Sequence, residues 1–181
     1  MGDSTSPKPV SVLFVCLGNI CRSTMSEGVF QSLTRPANKP AHPLISNIDS
    51  CGTGAYHVGD SPDSRTMDTL QKNGISTYHH AARKFHPSSD FANFEYILAM
   101  DDDNLDNLDR LRQREIKKKG TEEGVGKVML FGEFGGKKRR GGRGEEVQDP
   151  YYGGNDGFTT AFEQATRFTK AFLEQLEKGE L

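Results

Sequence analysis

The chain has 181 residues, 34% of them hydrophobic and 27% charged, with a formal net charge of −2 at pH 7. That length can bury one full core, and the balanced charge excludes wholesale nucleic-acid binding. Three cysteines, an odd number, argue against a disulfide framework and for a reducing compartment; no apolar run reaches the length of a membrane span or a signal-peptide core. A single cytoplasmic domain without membrane association is expected.

Residues 1–8 read as a flexible polar tail ahead of a domain spanning 9–178. Met1-Gly2-Asp3-Ser4-Thr5-Ser6 formally fits the myristoylation pattern, but Asp3 beside the acceptor Gly2 counts against it. Residues 10–15 are mostly apolar and rich in valine, the pattern of a buried strand. The strand runs into Cys16-Leu17-Gly18-Asn19-Ile20-Cys21-Arg22-Ser23, after which Met25, Val29, Phe30 and Leu33 recur at helical spacing. Residues 35–43 hold three prolines and read as a loop. A second strand is expected over 44–50, followed by a flexible segment, 51–57. Ser61-Pro62 opens a helix that runs to Gln71 and ends at Gly74.

Residues 78–87 read as a loop carrying His79, His80 and His86. Residues 94–100 form a third strand. Asp101, Asp102 and Asp103 then complement the dipole of a helix that fades near Gly120, with Asp102 and Asp103 expected in solvent. Residues 127–131 form a fourth strand. The segment 132–146 is a glycine-rich insertion with Lys137, Lys138, Arg139, Arg140 and Arg143, expected as a disordered solvated loop, with docking of acidic partners as the alternative. Phe158, Phe162, Ala165, Phe168, Phe172 and Leu176 mark an amphipathic C-terminal helix. Strands alternating with helices predict an α/β domain: a four-stranded parallel sheet covered on both faces, with its ligand at the carboxyl ends of the strands.

Cys16 sits at such an end. A strand that turns tightly into a helix aims backbone N–H groups and the positive end of the helix dipole at one spot, which suits an anion and favours a thiolate. Arg22, separated from Cys16 by five residues, adds a planar fork able to hold two phosphate oxygens. Gly18 relieves the turn of a Cβ, Asn19 tolerates left-handed geometry, and Ser23 is placed to donate to the sulfur. A lone cysteine at a strand end is usually only a small core residue. The combination with glycine, asparagine, arginine and serine points instead to a thiolate beneath a phosphate cradle formed by residues 17–23.

The run CLGNICRS between an apolar strand and a helix resembles the signature loop of the low-molecular-weight protein tyrosine phosphatases. Asp149-Pro150-Tyr151-Tyr152 resembles the general-acid loop of the same family. The resemblance implies a flavodoxin-like single domain and hydrolysis of phosphotyrosine, in tyrosine-phosphorylated proteins or peptides, through a cysteinyl-phosphate. Cys16 would be the nucleophile and Arg22 the phosphate clamp. Asp149 would be the general acid, on a loop stiffened by Pro150. Leu17, Gly18, Asn19, Ile20, Cys21, Arg22 and Ser23 would bind phosphate, which also acts as product and inhibitor. Ser50 and His80 would join Asn19 and Ser23 in holding the loop. Leu17, Ile20, Tyr56, Tyr151 and Tyr152 would wall the substrate ring. Thr24 stands where the family commonly has proline.

No cofactor or metal is implied, since no Cys, His or carboxylate spacing matches a metal site. Cys21, on the same curled loop as Cys16, is a candidate resolving thiol for an oxidised nucleophile. Arsenate reductases share the fold and a similar loop, but they need further cysteines, and none follows Cys51. Protein-arginine phosphatases are nearer rivals; by resemblance they carry a smaller, polar residue where Ile20 stands and lack the tyrosine pair. A phosphotyrosine-binding module without turnover would not need Cys16, Arg22 and Asp149 together.

Overall fold

The computed structural model describes residues 7–154 and 156–181; the Gly2 lipidation pattern and most of the expected tail lie outside them. The chain runs β1 (Val10–Cys16), α1 (Arg22–Thr34), β2 (Ile45–Gly52), α2 (Ser64–Lys72), α3 (Pro87–Asn93), β3 (Tyr96–Ala99), α4 (Asp102–Lys119), β4 (Lys127–Leu130) and α5 (Asp156–Glu177). The four strands are parallel, in the order β2-β1-β3-β4. This is the expected flavodoxin-like sheet, and its order reverses direction at β1.

β1 is flanked on both sides: Phe14 pairs with Ser50 on β2 and with Leu98 on β3. Alternate β1 residues therefore feed two cores. Val12 and Phe14 join Met25, Phe30, Leu70, Phe168 and Phe172, brought by α1, α2 and α5. Leu13 and Val15 join Phe91 and Leu108, brought by α3 and α4. The first core is strongly aromatic. Phe14 meets Phe30 at 5.3 Å and Phe131 at 5.0 Å edge-on, and Phe131 meets Phe168 at 5.3 Å, the arrangement ring quadrupoles favour.

Several expectations change. α2 begins at Ser64 and not at Ser61, because the Asp63 side chain accepts the Arg65 N–H and caps the helix there. β2 continues through Cys51 and Gly52, which pair with Val15 and Cys16, so the expected flexible segment starts later. α3 was not foreseen; its seven residues lack a clear apolar stripe, and Pro87 at its start reads equally as loop. Leu33 is 37% exposed in place of packing with Met25, Val29 and Phe30. α4 keeps its predicted limits, with Asp101 accepting the Asn104 N–H at 2.8 Å and Gly120 taking a left-handed φ of 79°.

The largest change concerns the basic insertion. It is not a free solvated loop, because ion pairs tie it to the domain, although Lys137 and Arg140 stay exposed. Arg139 grips Asp102 with both guanidinium nitrogens at 3.0 and 2.7 Å, and Arg143 reaches the same carboxylate at 3.3 Å. Lys138 pairs with Glu133 inside the loop. Arg139 Nε also donates to Gly144 O at 2.6 Å, and Glu145 accepts both nitrogens of Arg167 on α5 at 2.9 and 3.0 Å. The Arg139 guanidinium holds the Asp102 carboxyl below the usual carboxylate range. Asp102 is therefore no solvated helix start but an anchor for this strap, while Asp103 is exposed as expected.

Candidate active site

The carboxyl end of β1 carries Cys16, and α1 begins at Arg22, so the loop between them curls around the helix N-terminus. Cys16 is buried. Its Sγ lies 3.1 Å from Ser23 Oγ and accepts the Asn19 N–H at 3.3 Å. Among the described residues, no backbone carbonyl takes the amides of Leu17, Gly18, Ile20, Cys21, Arg22 or Ser23. They are donors left free for an anion at the helix N-terminus.

Asn19 sets the shape of this loop. Its φ of 58° is the one positive value at a non-glycine among the described residues, a geometry asparagine tolerates. Its Nδ2 donates to Ser23 Oγ at 2.9 Å and Ser50 Oγ at 3.0 Å. Its Oδ1 accepts from His80 Nε2 at 2.8 Å and from the Arg83 N–H at 3.0 Å. The strained turn is thus held by four bonds, two of them from the expected Ser50 and His80. Gly18, by contrast, has no positive φ. A Cβ there would sit 3.1 Å from the His57 ring, a tight contact that the ring would have to yield to. Gly52 is tighter still, since its Cβ would meet Leu17 O at 2.6 Å.

Beneath the loop the network extends to a buried carboxylate, Glu27, that no local pattern marks. Glu27 accepts from Ser50 Oγ and Tyr78 OH, each at 2.6 Å, and from Gln31 Nε2 at 3.1 Å. Among the described residues, Glu27, Asp49 and His80 are the one trio whose ligand atoms all lie within 4.8 Å of one another, close enough to hold a metal ion. Each of the three is already engaged in hydrogen bonds: Ser50 and Tyr78 donate to Glu27, Arg83 donates to Asp49, and His80 Nε2 donates to Asn19 Oδ1. The set reads as a hydrogen-bonded support and not as a metal centre. His79 and His86 are exposed and take no part.

Arg22 is 3% exposed and leaves the loop toward two carboxylates. Nη1 pairs with Asp101 and donates to Val147 O at 3.2 Å, while Nη2 reaches Asp149 at 3.5 Å. Asp101 therefore has the structural part expected for it, capping α4 and orienting the arginine fork. Asp149 stands on the opposite lip, its side chain 38% exposed, with its Oδ1 accepting the Tyr151 N–H at 3.0 Å.

Between these walls lies a cleft of about 510 Å³ lined by Cys16, Leu17, Ile20, Arg22, Asp149 and the rings of Tyr56, Tyr151 and Tyr152, with Gly18, Cys21 and His57 completing it. All the residues foreseen as ring walls meet here, and the volume suits a small-molecule-sized group. Two contributors were missed. His57 lines the cleft, and Arg65 lies 5.4 Å over the Tyr151 ring and 4.6 Å over Phe158 while donating to Tyr151 O at 3.2 Å. No spacing in the sequence links Arg65 to Tyr151, so only the fold reveals that contact.

A family model for low molecular weight phosphotyrosine protein phosphatase matches residues 11–180. The chain belongs to that family. A relative from Schizosaccharomyces pombe, a low molecular weight phosphotyrosine protein phosphatase, is 48% identical over 169 residues, covering 93% of this chain and 98% of its own. The structure of a protein tyrosine phosphatase from Entamoeba histolytica superposes with a TM-score of 0.74 at 33% identity, covering 95% of this chain and 99% of the other. A Drosophila arginine phosphatase superposes with the same TM-score of 0.74 at 31% identity, covering 91% and 96%. The family fold is thus shared by enzymes named for two substrates, and the cleft walls have to separate them.

Within the low molecular weight phosphatase fold, Thr24 replaces the common proline without disturbance. It is buried, and its Oγ1 donates to Cys21 O at 3.0 Å inside the first turn of α1.

Proposed function

We propose that the chain is a cysteine-dependent phosphotyrosine phosphatase acting by double displacement. The observation that carries this is one cleft holding Cys16 on its floor, free loop amides around the sulfur, and Asp149 on the lip. Cys16 thiolate attacks phosphorus in line while the amides and Arg22 hold the equatorial oxygens. Asp149 gives its proton to the departing phenolate, and the P–O bond breaks as the P–S bond forms. The Asp149 carboxylate next takes a proton from water, whose oxygen displaces Cys16 from phosphorus and releases inorganic phosphate. None of these steps calls on a metal or cofactor.

Ile20 and Tyr151 favour a phenyl ring over a guanidinium chain. Both line the cleft, Ile20 as a buried apolar side chain and Tyr151 as a half-exposed ring. Turnover of matched phosphotyrosine and phosphoarginine peptides tests this directly. Phosphotyrosine should be the better substrate by kcat/KM, with or without a chelator. A preference for phosphoarginine, or activity that a chelator abolishes, would overturn the reading. Tyrosine-phosphorylated proteins are the expected partners. No helix among the described residues is long and apolar enough to cross a membrane. The free cysteines 16, 21 and 51 suit a reducing compartment such as the cytoplasm.

Cys21 lines the same cleft, and burial above all, with Asp63 adding to it, pushes its thiol up to about 12. It therefore stays a thiol while Cys16 is the sulfur that peroxide oxidises, to a sulfenic acid with release of water. Attack by Cys21 on that sulfenic sulfur expels a second water and closes a disulfide, which a dithiol reopens. After peroxide and then dithiol, wild type should regain most of its activity, whereas Cys21→Ser should lose it progressively to over-oxidation. Because only the thiolate attacks, closure should quicken as pH rises toward 12. Equal recovery of the two proteins after prolonged peroxide would remove Cys21 from any protective part.

A further inference from the structure

The basic insertion ends three residues before Asp149, and its ion pairs lead there. Arg139 bonds Asp102 with both guanidinium nitrogens, at 3.0 and 2.7 Å, and also lies 3.5 Å from Glu146 Oε2. Glu146 Oε1 in turn accepts the Asp102 N–H at 2.8 Å, so one guanidinium bridges two carboxylates across the start of α4. The next residue, Val147, is buried and fixed twice: its N–H donates to Met100 O at 2.8 Å and its carbonyl accepts from Arg22 at 3.2 Å. Asp149 follows on the exposed lip, before the buried Pro150.

The geometry points to Arg139 as a positioning residue for the general acid, acting through Asp102 and Glu146 on the segment that carries Asp149. This rests on the reading of Asp149 as the acid. The physical reason is charge. Without Arg139, Asp102 and Glu146 face one another as like charges at the base of the acid loop. Repulsion there loosens Glu146, and a shift of even about 1 Å at the proton donor can lower a rate by up to about 100-fold. Arg139 touches neither substrate nor sulfur, so its effect should appear only where the proton matters. Arg143, 3.3 Å from Asp102 and 3.6 Å from Asp106, supplies part of the same neutralisation and limits the loss.

The test measures kcat/KM on aryl phosphates whose phenols run from strongly to weakly acidic, because this ratio reports steps up to phenol release. Arg139→Ala should lower it about tenfold for phosphotyrosine and leave the most acidic phenol nearly unchanged. Arg139→Lys, which keeps the charge but not the fork, should fall between wild type and alanine. Adding Asp102→Asn to Arg139→Ala should recover part of the loss by removing one of the repelling charges. In an Asp149→Asn background, Arg139→Ala should cost nothing more. An equal loss across all phenols, no loss, or a full additional loss on top of Asp149→Asn would overturn the proposal. If Asp149→Asn itself shows no dependence on the phenol, the acid reading fails and the proposal falls with it; if only Arg139→Ala lacks that dependence, the acid reading stands alone. Thermal unfolding of each variant separates a misfolded protein from a misplaced acid, and Arg139→Lys keeps the comparison open should alanine unfold the strap.

Discussion

Cys16→Ser should abolish turnover while leaving phosphate binding intact. A serine hydroxyl at this place is un-ionised near neutral pH and has no general base beside it, so attack on phosphorus is lost. The drop should exceed about 10,000-fold, as for other single removals of a nucleophile. Binding survives because the cradle does not depend on the sulfur. Asn19 keeps its bonds to Ser50, His80 and the Arg83 N–H, and Arg22 keeps Asp101. Calorimetric titration with inorganic phosphate should give a Kd close to that of wild type, together with no detectable hydrolysis of phosphotyrosine. Residual turnover within an order of magnitude of wild type would show that another group performs the attack.

Asp149→Ala should cost about 100- to 10,000-fold in kcat/KM on phosphotyrosine, the usual range for a lost general acid. The cost should shrink steadily as the leaving phenol becomes more acidic, because a stable phenolate needs no proton. Little of the change should be structural. The Asp149 side chain is 38% exposed, and its removal strands no charge, because Arg22 remains paired with Asp101. Stability should stay within about 0.5 kcal/mol of wild type. Full activity on phosphotyrosine would place the proton donor elsewhere on the cleft lip, where His57 is the one lining imidazole.

Much of this site is written locally, and what is local could be read from the chain. Residues 10–15 and the loop after them encode strand, turn and helix start within one short stretch, and the C-x5-R spacing of Cys16 and Arg22 lies within it. The parallel sheet follows from strands alternating with helices, and its flavodoxin-like arrangement from the family resemblance. α4 could be bounded because Asp101 and Gly120 are local start and stop signals. Asn19 could be marked for left-handed geometry because its side chain, and not its surroundings, decides what φ it accepts.

What stayed hidden is what long-range packing decides. Glu27 reads as a polar residue on a helix, yet the fold buries it between Ser50 and Tyr78, from β2 and the loop after α2. Arg65 and Tyr151 meet only because α2 and the acid loop converge on α1 and α5. The basic insertion shows the difference most clearly. Composition alone reads a glycine-rich cationic run as solvated, because it does not show which acidic groups the chain folds it against. Glu133 and Glu146 lie within the run, but Asp102, which takes both terminal nitrogens of Arg139, is 37 residues away and reaches it only through the fold. Sequence by itself determined the strand–loop–helix stretch that carries Cys16 and Arg22, since that depends on neighbours along the chain. Tertiary structure alone decided which charges face one another across the strands, because Coulomb energy follows distance in space and not separation along the chain.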